Sequence, residues 1–193
     1  KRLRPIVFLL SYLSCQRSNR RRATVGKREI AFASAMELIH GASLIHDDLV
    51  DRSALRRGSP TVQLTKGAAI ALLIGDYMVF EGIGGIVELA KGDADIEATR
   101  KLIRMLLSIV TGELGQLDHT ASQKCSTERM SMSRYIRIIT KKTAIFYAAC
   151  AEPAAFLAGG HKHQCSAYRS FGLTLGRVFQ CVDDVMDVFG VSS

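Results

Sequence analysis

The segment LIHDDLVDRSALRRG places three aspartates next to two arginines. It contains Asp47, Asp48 and Asp51, followed by the adjacent Arg56 and Arg57. Carboxylates this close repel one another unless a cation lies among them, and neighbouring guanidinium groups bind anions through charge-assisted hydrogen bonds. The segment therefore predicts a site that a metal ion and a phosphate group complete.

A second aspartate cluster near the C-terminal end repeats the spacing of the first. In FQCVDDVMDVFG, Asp183 and Asp184 are adjacent, and Asp187 follows three residues after the second of them. On a helix, the first and third aspartates lie one turn apart on one face, and the middle one flanks them. A single cluster is also typical of a solvated acidic helix face. Two copies with apolar flanks favour one shared site.

Both clusters offer the oxygen ligands that suit Mg²⁺, which is usually held by a few carboxylates together with substrate phosphates. Two such helices facing each other would enclose a diphosphate, and Arg56, Arg57 and Lys142 would add direct contacts. Metal ions make a diphosphate a good leaving group because they stabilise the charge that develops on its oxygens. The carbocation left behind would need an apolar cavity that excludes water.

Helices must position these residues, because the periodicity of the sequence is helical. Only 3 prolines occur, and no segment alternates convincingly between apolar and polar residues. Helices are predicted over residues 4–15, from about 30 into the first cluster, over 67–90 and 95–119, from about 131, and from about 166 to the end. We therefore predict one all-α domain.

The most apolar window, residues 143–160, has the length of a membrane span. Glu152 and Pro153 lie at its middle, which would be costly in lipid. We interpret it as a buried core helix that is kinked or broken at Pro153, and we predict no transmembrane segment.

The net charge and the cysteine content indicate which partners the protein binds and in which cellular compartment it works. The net charge of +8 raises nucleic acid as a partner. However, the basic residues concentrate in segment 17–29, which has no interleaved aromatic residues and is interpreted as a solvated loop. The 5 cysteines are scattered without a CxxC pair, which indicates reduced thiols. We expect a cytoplasmic protein that binds no nucleic acid.

Five motifs in order resemble the trans-isoprenyl diphosphate synthases, or polyprenyl synthetases, over essentially the whole chain. They are KRLRP, HDDLVDRSALRRG, GELGQ, KKTA and FQCVDDVMD. The resemblance implies the isoprenoid synthase fold, a single-domain antiparallel helical bundle around a deep central apolar cavity, and a homodimer. It implies Mg²⁺-dependent head-to-tail condensation of an allylic prenyl diphosphate with isopentenyl diphosphate. Residues 1–193 would form this domain without the family's N-terminal and C-terminal portions.

The resemblance also assigns roles to individual residues. The expected metal ligands are Asp47, Asp48, Asp51, Asp183 and Asp187. The remaining catalytic residues would be Asp184, which supports these ligands, and Lys142. The allylic substrate would contact Arg56, Lys142, Thr143, Gln116 and Gln180. Isopentenyl diphosphate would be bound by Lys1, Arg4, His40 and Arg57.

Product length would depend on the residues below the first cluster, where the growing chain extends between helices. Ala42 and Ser43, five and four residues before Asp47, are small, and Ile39 lies about one turn deeper. No aromatic side chain would close the pocket, so we expect products of geranylgeranyl length or longer. Alternatively, Ala42 and Ser43 simply permit close helix packing.

Three other functions would explain part of this pattern. A class I terpene cyclase would share the metal chemistry but would not need the predicted isopentenyl diphosphate site. A non-catalytic or regulatory subunit of a heteromeric synthase could lose its aspartates, whereas both clusters are intact here. A basic nucleic-acid binder leaves the six aspartates unexplained. The sequence favours a trans-prenyltransferase.

Overall fold

The structure is a computed structural model that describes residues 2–19, 22–122 and 131–190, with no side-chain description over 115–122. Its α-helices are α1 (Leu3–Ser18), α2 (Lys27–Val50), α3 (Val62–Lys66), α4 (Ala68–Glu88), α5 (Asp93–Ser122), α6 (Met132–Ile139), α7 (Ile145–Leu157) and α8 (Lys162–Val188). A π-helical turn, Thr140–Ala144, joins α6 to α7, and two short strands, β1 (Leu55–Arg56) and β2 (Ser59–Pro60), follow α2. The prediction of an all-α fold is confirmed.

Helix α7 forms the centre of the core, as predicted for the most apolar window. It packs against α1, α5 and α8, and Ala149, Cys150 and Ala154 are completely buried. Of the two predicted outcomes at Pro153, a break is wrong, because the helix continues through it to Leu157, whereas a kink stays a prediction. A proline in a helix removes one hydrogen bond to the carbonyl four residues earlier, and burial on several sides keeps this helix continuous.

Helix α8 approaches α7 closely through two glycines one turn apart. A Cβ atom on Gly172 would lie 2.6 Å from Cα of Ala148, and one on Gly176 would lie 2.4 Å from Cα of Ala144. Only glycine permits this backbone approach. This contact fixes the position of α8 along its axis relative to the π-helical turn. It therefore also fixes the position of the second aspartate cluster, which α8 carries.

Helix α2 packs against α4 in a similar way. A Cβ atom on Gly75 would lie 2.2 Å from Nε2 of His46, whose ring crosses over the glycine. The same nitrogen lies 3.4 Å from Oδ1 of Asp76 and 3.4 Å from the carbonyl oxygen of Leu72. These contacts hold α2 on α4 immediately before the first aspartate cluster.

A small antiparallel hairpin follows α2 and was not predicted. Leu55 pairs with Pro60 and Arg56 with Ser59, which leaves Arg57 and Gly58 as a two-residue turn with φ values of 50° and 76°. Positive φ at both turn residues suits the right-handed twist of a hairpin. The hairpin turns the two arginines back toward the end of α2.

Helix α4 exposes much of its apolar surface. Among the described residues it is the helix that is long and apolar enough to cross a membrane, with 22% of its apolar window buried. Core helices of soluble proteins also meet this criterion, and the inner face of α4 packs against α2. The absence of a transmembrane segment stays a prediction.

Candidate active site

A cavity of about 720 Å³ opens between the helices that carry the two aspartate clusters. Its polar wall includes Asp47, Asp48, Asp183 and Asp187 together with Arg4, His40, Arg56, Arg57 and Lys142. Its apolar wall includes Leu3, Ile39, Leu44, Val79, Leu106, Ile109, Val110, Phe146 and Phe179. Charged groups of both signs and an apolar lining therefore share one space.

In the first cluster, the middle aspartate is bound by an arginine. Nε of Arg56 donates to both carboxylate oxygens of Asp48 at 2.9 Å, and a terminal guanidinium nitrogen lies 2.9 Å from Oδ1. The Asp48 side chain is only 8% exposed. Gln63 donates to the carbonyl oxygen of Asp48 at 2.7 Å and fastens the end of α2 to α3. The charge of Asp48 is therefore already paired.

The outer aspartates of the first cluster differ in position. Asp47 lines the cavity, and burial raises the pKa of its carboxyl group, with the nearby Glu113 carboxylate and Asp51 adding to the shift and Lys142 opposing it. Nζ of Lys142 lies 3.4 Å from Oε1 of Glu113. Asp51 caps α2 and is exposed. Asp47 therefore carries a half-buried charge that a cation would stabilise.

In the second cluster, other protein side chains again bind the middle aspartate, but here the donors are uncharged. The hydroxyl group of Tyr135 donates to Oδ2 of Asp184 at 2.5 Å, and Nε2 of Gln180 donates to Oδ1 at 2.8 Å. The hydrogen bond to Asp184 is the largest cause that raises the pKa of Tyr135. Asp183 and Asp187 line the cavity on the adjacent part of the helix.

The π-helical turn lies beside this cluster. Oγ1 of Thr143 donates to Oε1 of Gln180 at 2.7 Å, and Lys142, the preceding residue, lines the cavity. Short π-helical segments within α-helices are frequent at functional sites, because the wider turn redirects side chains. The structure thus brings together Lys142, Thr143 and Gln180, all of which were predicted to contact the allylic substrate.

A second group of basic residues lies on the same cavity. Arg4 stacks over the rings of Phe146 and Tyr147, with its guanidinium carbon 5.0 and 5.1 Å from the ring centroids. Burial lowers the pKa of Arg4. Its Nε is buried without a hydrogen-bond partner in the described part of the chain. A buried donor of this kind needs an acceptor, and an anion would supply it.

His40 extends this basic group. Burial is the largest cause that lowers its pKa to about 3, and the charges of Arg4 and Arg57 lower it further. Its ring lies 6.0 Å from that of Phe146, and both His40 and Arg57 line the cavity. His40 is therefore a neutral imidazole near pH 7, beside arginines whose charge attracts an anion.

The two aspartate clusters suit a divalent metal ion that takes further ligands from elsewhere. No group of three or more His, Cys, Asp or Glu side chains within the described ranges is close enough to hold an ion alone. Asp47 and the pair Asp183 and Asp187 instead approach the cavity from two different helices. Mg²⁺ usually binds one or two carboxylates and completes its shell with water and phosphate oxygens, which fits this arrangement.

The residues predicted to set product length occupy different surroundings. Ile39 and Ser43 line the cavity, whereas Ala42 is completely buried in the core and is not part of the lining. Val79 on α4 and Leu106 on α5 also line the cavity. Of the other predicted residues, Lys1 and the side chain of Gln116 lie outside the described part of the structure.

Several residues of the site were not singled out from the sequence. Glu113 lies within the GELGQ motif and pairs with Lys142, so its charge was a usable signal. Tyr135 and Gln63 act through contacts that spacing does not reveal, since Tyr135 is 49 residues from its partner. Phe146 follows the KKTA motif and stacks on Arg4.

An all-α bundle with two aspartate-bearing helices around one cavity is the isoprenoid synthase fold. A solved structure, a polyprenyl synthase from Caulobacter crescentus complexed with calcium and isoprenyl diphosphate, is similar to this chain with a TM-score of 0.80 and 33% identity. The similarity covers 97% of this chain and 52% of that chain.

The sequence model of the polyprenyl synthetase family matches residues 1–193. The chain belongs to this family, as its five motifs predicted. It is 33% identical over 187 residues to octaprenyl diphosphate synthase of Haemophilus influenzae, covering 97% of this chain and 52% of that protein. It is 31% identical over 187 residues to heptaprenyl diphosphate synthase component 2 of Bacillus subtilis, and the match covers 97% of this chain and 49% of that protein. The chain spans about half the length of these relatives.

Proposed function

We propose that the full-length protein containing this chain is a Mg²⁺-dependent trans-polyprenyl diphosphate synthase, which condenses an allylic prenyl diphosphate head to tail with isopentenyl diphosphate. One observation carries the proposal. Asp47 of the first cluster and Asp183 and Asp187 of the second line the same cavity as the basic group Arg4, His40 and Arg57. Two anion sites of different kinds, one with carboxylates for metal ions and one purely basic, therefore adjoin an apolar lining.

Each group has a role in this reaction. Asp47, Asp51, Asp183 and Asp187 would hold Mg²⁺ ions, which stabilise the charge on the departing diphosphate when bound. Asp48, which is also predicted as a metal ligand, pairs with Arg56 and would hold that side chain in place. The allylic diphosphate would contact Arg56, Lys142, Thr143, Gln180 and Gln116. The second diphosphate would bind to Lys1, Arg4, His40 and Arg57. The apolar wall would exclude water from the allylic cation until the double bond of isopentenyl diphosphate attacks it. The new cation would then lose a proton to the departing diphosphate, which restores a double bond.

The direct test incubates full-length protein with farnesyl diphosphate, labelled isopentenyl diphosphate and Mg²⁺, and separates the products by chain length. Elongation that disappears with EDTA and in Asp47→Ala is the expected result. Metal-dependent release of diphosphate from the allylic substrate alone would instead identify a cyclase-type enzyme. A folded protein with neither activity would support a non-catalytic subunit.

The proposed product is geranylgeranyl diphosphate or a longer chain. Support comes from Ile39 and Ser43, two non-aromatic residues that line the cavity on the helix that carries Asp47. Curated relatives of this chain carry names from geranylgeranyl to nonaprenyl diphosphate synthase, so the family alone does not fix the length. Replacing Ser43 with Phe should shorten the longest product, and Ala42→Ser, at the buried position, should not.

The proposed assembly is a homodimer in the cytoplasm, with α4 and α5 at the interface. The residues of α4 that expose large apolar side chains at helical spacing include Ile70, Leu73, Tyr77, Phe80 and Val87, and those of α5 include Ile96, Ile103, Leu107, Val110 and Leu114. Exposed apolar areas of this extent mark interaction sites. Phe80→Glu should yield monomers in sedimentation experiments. A requirement for a different chain would favour the heteromeric arrangement that the name of the Bacillus subtilis relative indicates.

A further inference from the structure

Tyr135 binds the middle aspartate of the second cluster from a separate helix. Its hydroxyl group, on α6, lies 2.5 Å from Oδ2 of Asp184 on α8 and 3.8 Å from Sγ of Cys181. The other carboxylate oxygen of Asp184 accepts from Gln180 at 2.8 Å. Both oxygens of Asp184 are therefore engaged by protein donors, and the residue does not line the cavity.

Two further side-chain hydrogen bonds join the same two parts of the chain. Thr143 in the π-helical turn donates to Gln180 at 2.7 Å, and Nε of Arg177 donates to Oγ1 of Thr140 at 2.9 Å. Together with Tyr135, these bonds fasten the segment that carries Lys142 to α8 at three successive points. The network links the residue proposed to grip the allylic diphosphate to the helix proposed to carry its metal ligands.

The positions on α8 explain what the network does. Residues 177, 180 and 184 follow one another at intervals of three and four and share one face, whereas 180, 183 and 187 share the adjacent face. Gln180 belongs to both faces. A rotation or shift of α8 that broke the bonds on the first face would therefore also turn Asp183 and Asp187 away from the cavity.

We propose that Tyr135 is a positioning residue, which through Asp184 and Gln180 holds Asp183 and Asp187 in the direction needed to bind Mg²⁺ and diphosphate. This inference rests on the proposed function. Asp184 then holds α8 in place. This role explains why the position is an aspartate, since both of its carboxylate oxygens accept hydrogen bonds from the protein.

The test compares Tyr135→Phe with wild type in the full-length protein. Tyr168→Phe is the matched control, because Tyr168 lies on α8 and packs against the core at the far end of that helix. Thermal unfolding is followed while Mg²⁺ is titrated in the presence of inorganic pyrophosphate. We expect the Mg²⁺ concentration for the half-maximal rise in Tm to increase about tenfold in Tyr135→Phe, the lower end of the range for residues that orient metal ligands. The control should keep the wild-type value.

The same proteins are then assayed with the allylic substrate, where KM should rise more than kcat falls. A lower Tm without ligand, at an unchanged Mg²⁺ midpoint and KM, would show a purely structural role and overturn the inference. No rise in Tm for wild type would count against the proposed function instead.

A second comparison tests whether Tyr135 acts through Asp184. If Tyr135 acts through Asp184, the double variant Tyr135→Phe with Asp184→Asn should be no more impaired in the Mg²⁺ midpoint than Asp184→Asn alone. Additive effects would mean that the two residues act independently and would overturn the inference.

Discussion

The two aspartate clusters have the same spacing but different electrostatic surroundings. In the first, the central carboxylate is neutralised by a guanidinium group at 2.9 Å. In the second, it is bound by a phenol and an amide, and none of its three aspartates forms an ion pair within the described residues. The second cluster therefore keeps more uncompensated negative charge, and added cations should affect it more strongly. Identical spacing does not imply identical roles.

The largest expected effect comes from removing an outer aspartate of each cluster. Asp47→Ala and Asp183→Ala should each lower kcat/KM at least about a hundredfold, because a direct metal ligand should matter at least as much as the residues that orient it. Steady-state kinetics over a range of Mg²⁺ concentrations would check this. If excess Mg²⁺ restored one variant fully and left the other unchanged, the clusters would have to bind ions of unequal importance.

Removing the guanidinium partner should reveal how the first cluster is neutralised. Arg56→Ala leaves the nearly buried carboxylate of Asp48 without its partner. We expect a loss of about 1–3 kcal/mol in the free energy of unfolding, less than for a fully buried pair because the Arg56 side chain is 37% exposed. Urea unfolding measures this. In the matched variant Arg100→Ala, which breaks an exposed pair with Glu97, the change should be much smaller.

The placement of the second cluster can be disturbed through the backbone of α8. Gly176→Ala would put a methyl group 2.4 Å from Cα of Ala144, so α8 must shift, at a cost of about 1–3 kcal/mol. Gly84→Ala on α4 meets no atom within 4 Å and should stabilise the helix slightly. Chemical unfolding of both variants gives the difference. An equal change in the free energy of unfolding for Gly176→Ala and Gly84→Ala would contradict the close packing described for α8.

The smallest expected effect concerns pH and the basic group beside the first cluster. The pKa of His40 is lowered to about 3 in the folded protein, whereas the unfolded chain binds the proton near pH 6.5. The stability that neutral His40 contributes is therefore present above pH 6.5 and lost as the pH falls toward 3. His40→Gln should make Tm fall less steeply between pH 7 and pH 5. His161→Gln, at an exposed position, serves as the control and should follow wild type.

Much of the fold and the site could be predicted from the sequence because the determining signals are local. Helical periodicity located the helices that carry both clusters, and the repeated aspartate spacing indicated that they share a site. The hairpin after α2 could not be predicted from periodicity, since it consists of two residues in each strand and depends on the Arg57–Gly58 turn.

Contacts distant in sequence could not be predicted in the same way. The bond between Tyr135 and Asp184 spans 49 residues, and nothing in the spacing of either segment encodes it. Neighbouring positions were also hard to separate. Ala42 and Ser43 are adjacent and similar in size, yet a helix turns about a quarter of a circle between them. Ala42 consequently faces the core and Ser43 the cavity.

Within the described residues, the buried Nε of Arg4 has no hydrogen-bond partner, which has a consequence for the lifetime of the protein in a cell. A buried donor without an acceptor makes the ligand-free fold less stable than it would otherwise be, and a bound anion removes this deficit. Ligand at about one hundred times its dissociation constant would add about 2.7 kcal/mol to the folding free energy. Because degradation acts largely on the transiently unfolded fraction, the abundance of the protein should follow the supply of the anion that binds beside Arg4.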